Sequence, residues 1–187
     1  SYVLGLKPPT TDAMALGSEV HSHLEAWLRD GLHPVRDADE TEGATLSRQI
    51  AAHGIDQGLL PKPGSVVVEG AVDIQGAPLP MLGIIDVVDR ADPETGIAIL
   101  DHKTSSGKGW MKTPEELAVN IQMCSYAHHA LQRFDPDAPS IRLRHIYYGT
   151  PGKRGAKRRW SDSREVVVTR EQVAAVWSGI CTTIEEM

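Results

Sequence analysis

The sequence predicts an α/β or α+β fold, a mixed sheet flanked by helices. Three observations carry that reading. Helical spacing of apolar residues recurs near both ends and in the middle of the chain; three short branched apolar runs lie between residues 65 and 103; an alternating run, IRLRHIYY, follows the middle helical segment. At 187 residues, 41% of them hydrophobic, the chain is long enough to bury one sizeable core. A single domain over 1–187 is therefore expected.

Residues 1–10, with Pro8-Pro9, read as an extended lead-in. Thr11 or Asp12 can cap a helix that runs to about Asp30, where Gly31 stops it. Val20, His21, Leu24, Trp27 and Leu28 supply its buried stripe. An acidic loop is expected over 34–45, then a weaker helical segment from Thr45 to about His53. Ser65–Ile74, Met81–Arg90 and Gly96–Lys103 read as three strands, and turns this short favour an antiparallel meander. Pro114 opens one long helix through about Arg133, with Leu117, Ile121, Cys124 and Leu131 on its apolar side. Ile141–Tyr148 and Arg164–Thr169 read as strands joined by a basic loop, Lys153–Trp160. The last helix, from Arg170 to Met187, has no stop signal, which suggests a piece of something longer.

Composition excludes several classes. No apolar run reaches the roughly 20 residues of a membrane-spanning helix, and no signal peptide opens the chain. Two cysteines without a CxxC pair exclude a disulfide framework or a four-thiolate zinc site, and a cytoplasmic location is expected. The net charge of -6 hides an asymmetry. Residues 141–170 hold nine basic and two acidic residues, +7, while the rest carries 10 basic against 23 acidic, -13. Such a chain is a poor polyanion binder overall, but it can present one local anion-binding face.

Asp101 and Lys103, two apart on a strand, share a face, and Asp86 on the preceding strand should pair beside them. Both acids lie in apolar runs, GIIDVV and AILDHK, where an unpaired carboxylate is costly. Two carboxylates about 4 Å apart repel by roughly 4 kcal/mol at an effective dielectric near 20. A divalent cation together with Lys103 would offset this, and oxygen ligands without thiols suit Mg²⁺ or Mn²⁺. A structural ion pair at a strand end is the blander alternative. His21 shares a helical face with Gly17 and Glu25, and Gln122 and Tyr126 form an i, i+4 pair on the middle helix. His23, His33 and His53 read as ordinary structural histidines.

In this order the segments GSEVH (17–21), VVVEG (66–70), GIIDVVD (83–89), ILDHKTS (99–105) and IQMCSY (121–126) resemble the PD-(D/E)XK nuclease superfamily, in its RecB-like exonuclease branch. The resemblance implies a restriction-endonuclease-like αβββαβ core and a metal-dependent site. Asp86 and Asp101 match its metal-binding acids and Lys103 its signature lysine. The His102 backbone carbonyl and His21 match further metal contacts, Gln122 and Tyr126 match its QxxxY motif, and Glu69 stands where relatives often have an acid. The implied activity is Mg²⁺- or Mn²⁺-dependent hydrolysis of DNA, single- or double-stranded, in recombination, repair or phage DNA processing, with a helicase or recombination protein as an allowed partner. Some relatives hold a four-cysteine iron–sulfur cluster with one cysteine ahead of the core. This chain has no cysteine before Cys124, so no cluster is expected, and Cys181 reads as core.

The loop residues Lys153, Arg154, Lys157, Arg158, Arg159 and Trp160 would contact DNA phosphates and stack on a base. Two rivals stand beside the nuclease. A non-cleaving DNA-binding module of the same fold would have no reason to keep Asp86, Asp101 and Lys103 together. A two-carboxylate glycosidase would need neither Lys103 nor the basic loop.

Overall fold

The computed structural model describes residues 11–36, 45–68, 70–151 and 159–187. The first helix, α1 (Asp12–Asp30), starts and stops as expected: the Thr11 hydroxyl accepts the Met14 N–H, and Gly31 closes it at φ 72°. The second, α2 (Leu46–Asp56), is capped by Thr45 and runs three residues past His53. The expected acidic loop falls mostly on residues 37–44, outside the described residues.

The strand region departs from three simple strands. Its first run divides into β1 (Val66–Val67) and β2 (Ala71–Asp73), and its second into β3 (Leu82–Ile84) and β4 (Val87–Asp92). β2 and β3 pair only with each other, whereas β1 pairs with β4 and β4 with β5 (Gly96–Ser105), all antiparallel. The meander order survives, but the chain changes partner at Ile85–Asp86. Ile85 stays fully buried there, so the corner is held by the core while Asp86 leaves the ladder.

The expected long helix is also two, α3 (Pro114–Ala118) and α4 (Ile121–Arg133). The interruption is a capping event: Asn120 is extended, and its side-chain oxygen accepts the Met123 N–H at 3.0 Å. Leu117, Cys124 and Leu131 are buried as expected, but Ile121 opens α4 on the outside and is exposed. β6 (Ser140–Gly149) and β7 (Ser161–Thr169) follow, then α5 (Arg170–Glu185).

The main sheet runs β1-β4-β5-β6-β7, with β5 and β6 parallel and the other pairs antiparallel. A parallel pair needs a crossover, which α3 and α4 provide, so β5 and β6 end at the same edge of the sheet. Alternation sends Ile97, Ile99 and Leu143 into one core with α4 and α5. Ala98, Leu100, Ile146 and Tyr148 enter the other, with α1 and α2. No helix among the described residues is long and apolar enough to cross a membrane.

α2 seats on the sheet through Gly54. A Cβ there would lie 2.3 Å from a ring carbon of the fully buried Tyr148. Alanine favours a helix interior over glycine by about 1 kcal/mol, yet here it must displace a rigid ring. Gly54→Ala is expected to lower stability by about 1–3 kcal/mol, the usual range for overpacking. Denaturant unfolding checks this, and a raised midpoint would contradict it.

Candidate active site

Asp101 pairs with His145 in the parallel β5–β6 ladder, and its side chain points toward the α4 side of the sheet. It is 3% exposed. Lys103, two residues on and on the same face, brings Nζ to 2.6 Å from Asp101 Oδ2. That contact is a close ion pair without hydrogen-bond alignment, and Oδ2 makes no hydrogen bond. Burial pushes the Asp101 carboxyl above the ordinary carboxylate range; Lys103 opposes the shift and Asp86 adds to it.

Asp86 stands one residue before β4 and not within a strand as expected. Its backbone has left the ladder, and its carboxylate accepts the His102 backbone N–H at 2.8 Å. His21 approaches from α1, Nδ1 3.6 Å from Asp86 Oδ2. Burial alone would raise the Asp86 pKa, but His21 and the His102 amide outweigh it and hold the group low. His21 shows the reciprocal effect: burial pulls its pKa down, and Asp86, with Asp101 behind it, carries it above 6.5. Asp86, His21 and His102 line a cleft of about 210 Å³ between α1 and the β3–β4 corner, with Glu25 and Gly70 at its walls; Asp101 and Lys103 are not among its lining residues. Gly17, on the same face of α1, admits the Thr104 side chain, whose oxygen would lie 3.1 Å from a Cβ there.

The His102 side chain points to the opposite face, as expected, with Nδ1 3.0 Å from the Tyr148 hydroxyl and its ring edge against His21. Complete burial lowers its pKa to about 4, so the ring is neutral.

Gln122 and Tyr126 tie the two acids' surroundings together. Lys103 Nζ donates to Gln122 Oε1 at 3.2 Å, Gln122 Nε2 donates to the Tyr126 hydroxyl at 3.2 Å, and that oxygen accepts the Ile84 N–H at 3.2 Å. The chain of contacts leads from Lys103 back to the strand end just before Asp86. It depends on Gly83, where a Cβ would lie 2.6 Å from the Tyr126 ring.

Glu69, Lys153, Arg154, Lys157 and Arg158 lie outside the described residues. Trp160 packs over Gly149, where a Cβ would come within 2.5 Å of its Nε1, and Lys108 Nζ sits 5.6 Å from its ring centroid. Arg159 meets Gln49 of α2. The +7 segment is less free than its composition implies. Arg142 is paired to Asp92, Glu94 and Glu165, Arg144 to Glu165, and Arg164 to Asp162. Arg170 donates to the carbonyls of Ala138 and Asp135.

Sequence reasoning missed His145. It is 1% exposed, with Nε2 3.8 Å from Asp101 Oδ2. Its alternation with Ile141 and Leu143 marks it as inward-facing, but only the parallel register sets it beside Asp101.

The donors fit a hard divalent ion. Asp101 and Asp86 present two carboxylates, and no thiolate competes. Cys124 is buried, its thiol pushed up to about 11, and Cys181 is half-buried against the α5-side core. Among the described residues no three His, Cys, Asp or Glu side chains are arranged to hold an ion, so His21, Asp86 and Asp101 do not form a three-ligand cluster. Mg²⁺ commonly takes one or two carboxylates and keeps several waters, so two acids suffice. A groove of about 700 Å³ between the β1–β2 segment and α4 is lined by Val72, Gln132 and Arg133 and holds none of these side chains.

A model of the PD-(D/E)XK nuclease superfamily matches residues 62–187. The chain belongs to this superfamily. The matched segment contains Asp86, Asp101, Lys103, Gln122 and Tyr126, while His21 and α1 precede it. The five-stranded mixed sheet between helices accords with the restriction-endonuclease-like fold. Superfamily membership points to a nuclease, a hydrolase acting on nucleic acid, and PD-(D/E)XK nucleases generally use divalent metals such as Mg²⁺. Among solved structures, a crystal structure of SSO0001 is 15% identical, with 87% of this chain and 81% of that chain covered at a TM-score of 0.34. No curated protein matches.

The raised Asp101 pKa has a stability consequence. A carboxyl whose folded pKa exceeds its unfolded value favours folding while protonated, and that contribution is lost as pH rises through the folded pKa. At neutral pH the charged Asp101 therefore costs stability in the metal-free protein. Asp101→Asn is expected to raise the melting temperature in EDTA at pH 7, by about 2–4 °C per kcal/mol recovered in a domain of this size. The gain should shrink as pH falls toward the carboxylate range. A lower melting temperature at pH 7 would count against this account.

Proposed function

We propose that the protein is a Mg²⁺- or Mn²⁺-dependent DNA nuclease of the RecB-like branch, an exonuclease serving recombination, repair or phage DNA processing. The observation that supports this best is the Asp101–Lys103 ion pair on β5, beside the corner that carries Asp86 and joined to it through Gln122 and Tyr126. Asp86 and Asp101 would hold the ion, with the His102 carbonyl, His21 and Glu69 as further candidate contacts. When bound, the ion polarises the scissile phosphate and lowers the pKa of a coordinated water. Lys103, half-exposed at the rim, would orient that water and offset charge developing on the phosphoryl oxygens. Gln122 holds its ammonium from the far side, and Tyr126 holds Gln122.

The basic loop would guide the substrate. β6 runs parallel to β5, so the loop leaves the sheet at the Lys103 end: Ser105 pairs with Gly149, and the Thr150 N–H donates to the Ser105 carbonyl at 2.8 Å. At its return, the Trp160 carbonyl accepts the Gly149 N–H at 2.8 Å, and the Trp160 ring packs on Gly149 as an anchor. Lys153, Arg154, Lys157, Arg158 and Arg159 would meet phosphates.

Lys103→Ala should reduce cleavage by at least about 10²-fold, the usual cost of a charge-stabilising group, with Mn²⁺ binding largely kept. Asp101→Ala should lose both. Mn²⁺ calorimetry beside a cleavage assay on linear and circular DNA, with an EDTA control, tests the roles and the exonuclease reading. Full activity in either variant would refute the site. Intact linear DNA bound under all conditions would favour the non-cleaving module. Replacing Lys157, Arg158 and Arg159 with Ala should weaken DNA binding and flatten the plot of log affinity against log salt by about 2–3 in slope, at roughly 0.7–0.9 per phosphate contact. An unchanged slope would reject the guiding role.

A further inference from the structure

We infer that His145 is a positioning residue of this site, its ring N–H aimed at Asp101 to hold that carboxylate in place. The inference rests on the metal-dependent reading of Asp101 and adds a residue to it.

Tyr147, His145 and Asp101 are buried side by side, so their protons can be counted. The Lys112 backbone N–H donates to the Tyr147 hydroxyl oxygen at 3.0 Å. That oxygen also lies 3.1 Å from His145 Nδ1. Tyr147 and His145 are both buried, and no other hydrogen-bond partner is seen for the hydroxyl among the described residues. Two arrangements are open. If Nδ1 carried the proton, the buried Tyr147 hydroxyl hydrogen would have no acceptor, and a bare Nε2 lone pair would face the Asp101 carboxylate at 3.8 Å. If the hydroxyl donates to Nδ1, its hydrogen is satisfied and the ring proton falls on Nε2, facing Asp101 Oδ2. The second arrangement satisfies the hydroxyl and replaces a repulsion across the 3.8 Å gap with an attraction.

Both Nε2 of His145 and Oδ2 of Asp101 lack a hydrogen bond in this structure. They face each other across a gap slightly longer than a hydrogen bond, from positions directly paired in the ladder. Lys103 reaches the same oxygen. As Lys103 turns to the substrate, Oδ2 would pass to the His145 N–H, which leaves Oδ1 as the free ligand atom. Carboxylates that bind metals are commonly oriented by such partners.

Two measurements test this. Nitrogen–proton correlation spectra of the metal-free protein should show the His145 ring protonated at Nε2; a proton at Nδ1 would overturn the inference. Mn²⁺ calorimetry should show weaker binding by about 10–100-fold in His145→Leu, near-wild-type binding (within about threefold) in His145→Gln, and a smaller loss in Tyr147→Phe. Wild-type affinity in a folded His145→Leu, or equal loss in the Gln and Leu variants, would overturn it. Should His145→Leu not fold, the wild-type ring spectrum decides, and a proton at Nδ1 overturns the inference. If the wild-type protein takes up no Mn²⁺, the proposed function fails, and the ring spectrum still decides the placement of the His145 proton.

Discussion

A single buried charge organises this molecule. Asp101 sits within the central strand β5 with almost no water contact, where an isolated carboxylate is expensive. The groups around it answer that cost in part: Lys103 at ion-pair distance, and Gln122 holding the lysine. The charge is only partly offset, since burial still leaves the Asp101 carboxyl easier to protonate than usual. A residue kept in this condition costs stability in the absence of a ligand, a condition shared by catalytic acids and structural ion-pair networks.

The second acid is positioned by a fault in the sheet. β3 belongs to the small β2–β3 ribbon and β4 to the main sheet, and the two residues between them turn from one partner to the other. Because Asp86 has left the ladder, its side chain takes the His102 amide. The same corner is pinned from the other side by Tyr126, whose hydroxyl accepts the Ile84 N–H and whose ring occupies the space a Gly83 side chain would need. The QxxxY pair thereby connects the lysine of one strand with the corner carrying the acid of another.

Topology then decides what else shares the site. The α3–α4 crossover makes β6 parallel to β5, so the carboxyl ends of the two strands lie side by side, two residues beyond Lys103. Most strand arginines, by contrast, are spent on internal partners. Arg142 alone meets three carboxylates, so it contributes to the integrity of the sheet and not to a surface field.

Local chemistry was legible in the sequence wherever one residue type dictates a backbone event. Thr11 and Gly31 bound α1, Thr45 starts α2, Pro114 opens α3, and alternation marks β6. The D-x-K spacing likewise placed Asp101 and Lys103 on one face, because side chains two apart on a strand must share it. The corner at Ile85–Asp86, the restart at Asn120 and the exposure of Ile121 were not legible, since each is settled by competition between partners distant in sequence. His145 is the sharpest case. Its strand and its inward face follow from alternation, but its neighbour follows from register, and register across a parallel crossover is set by how whole helices pack beneath the sheet.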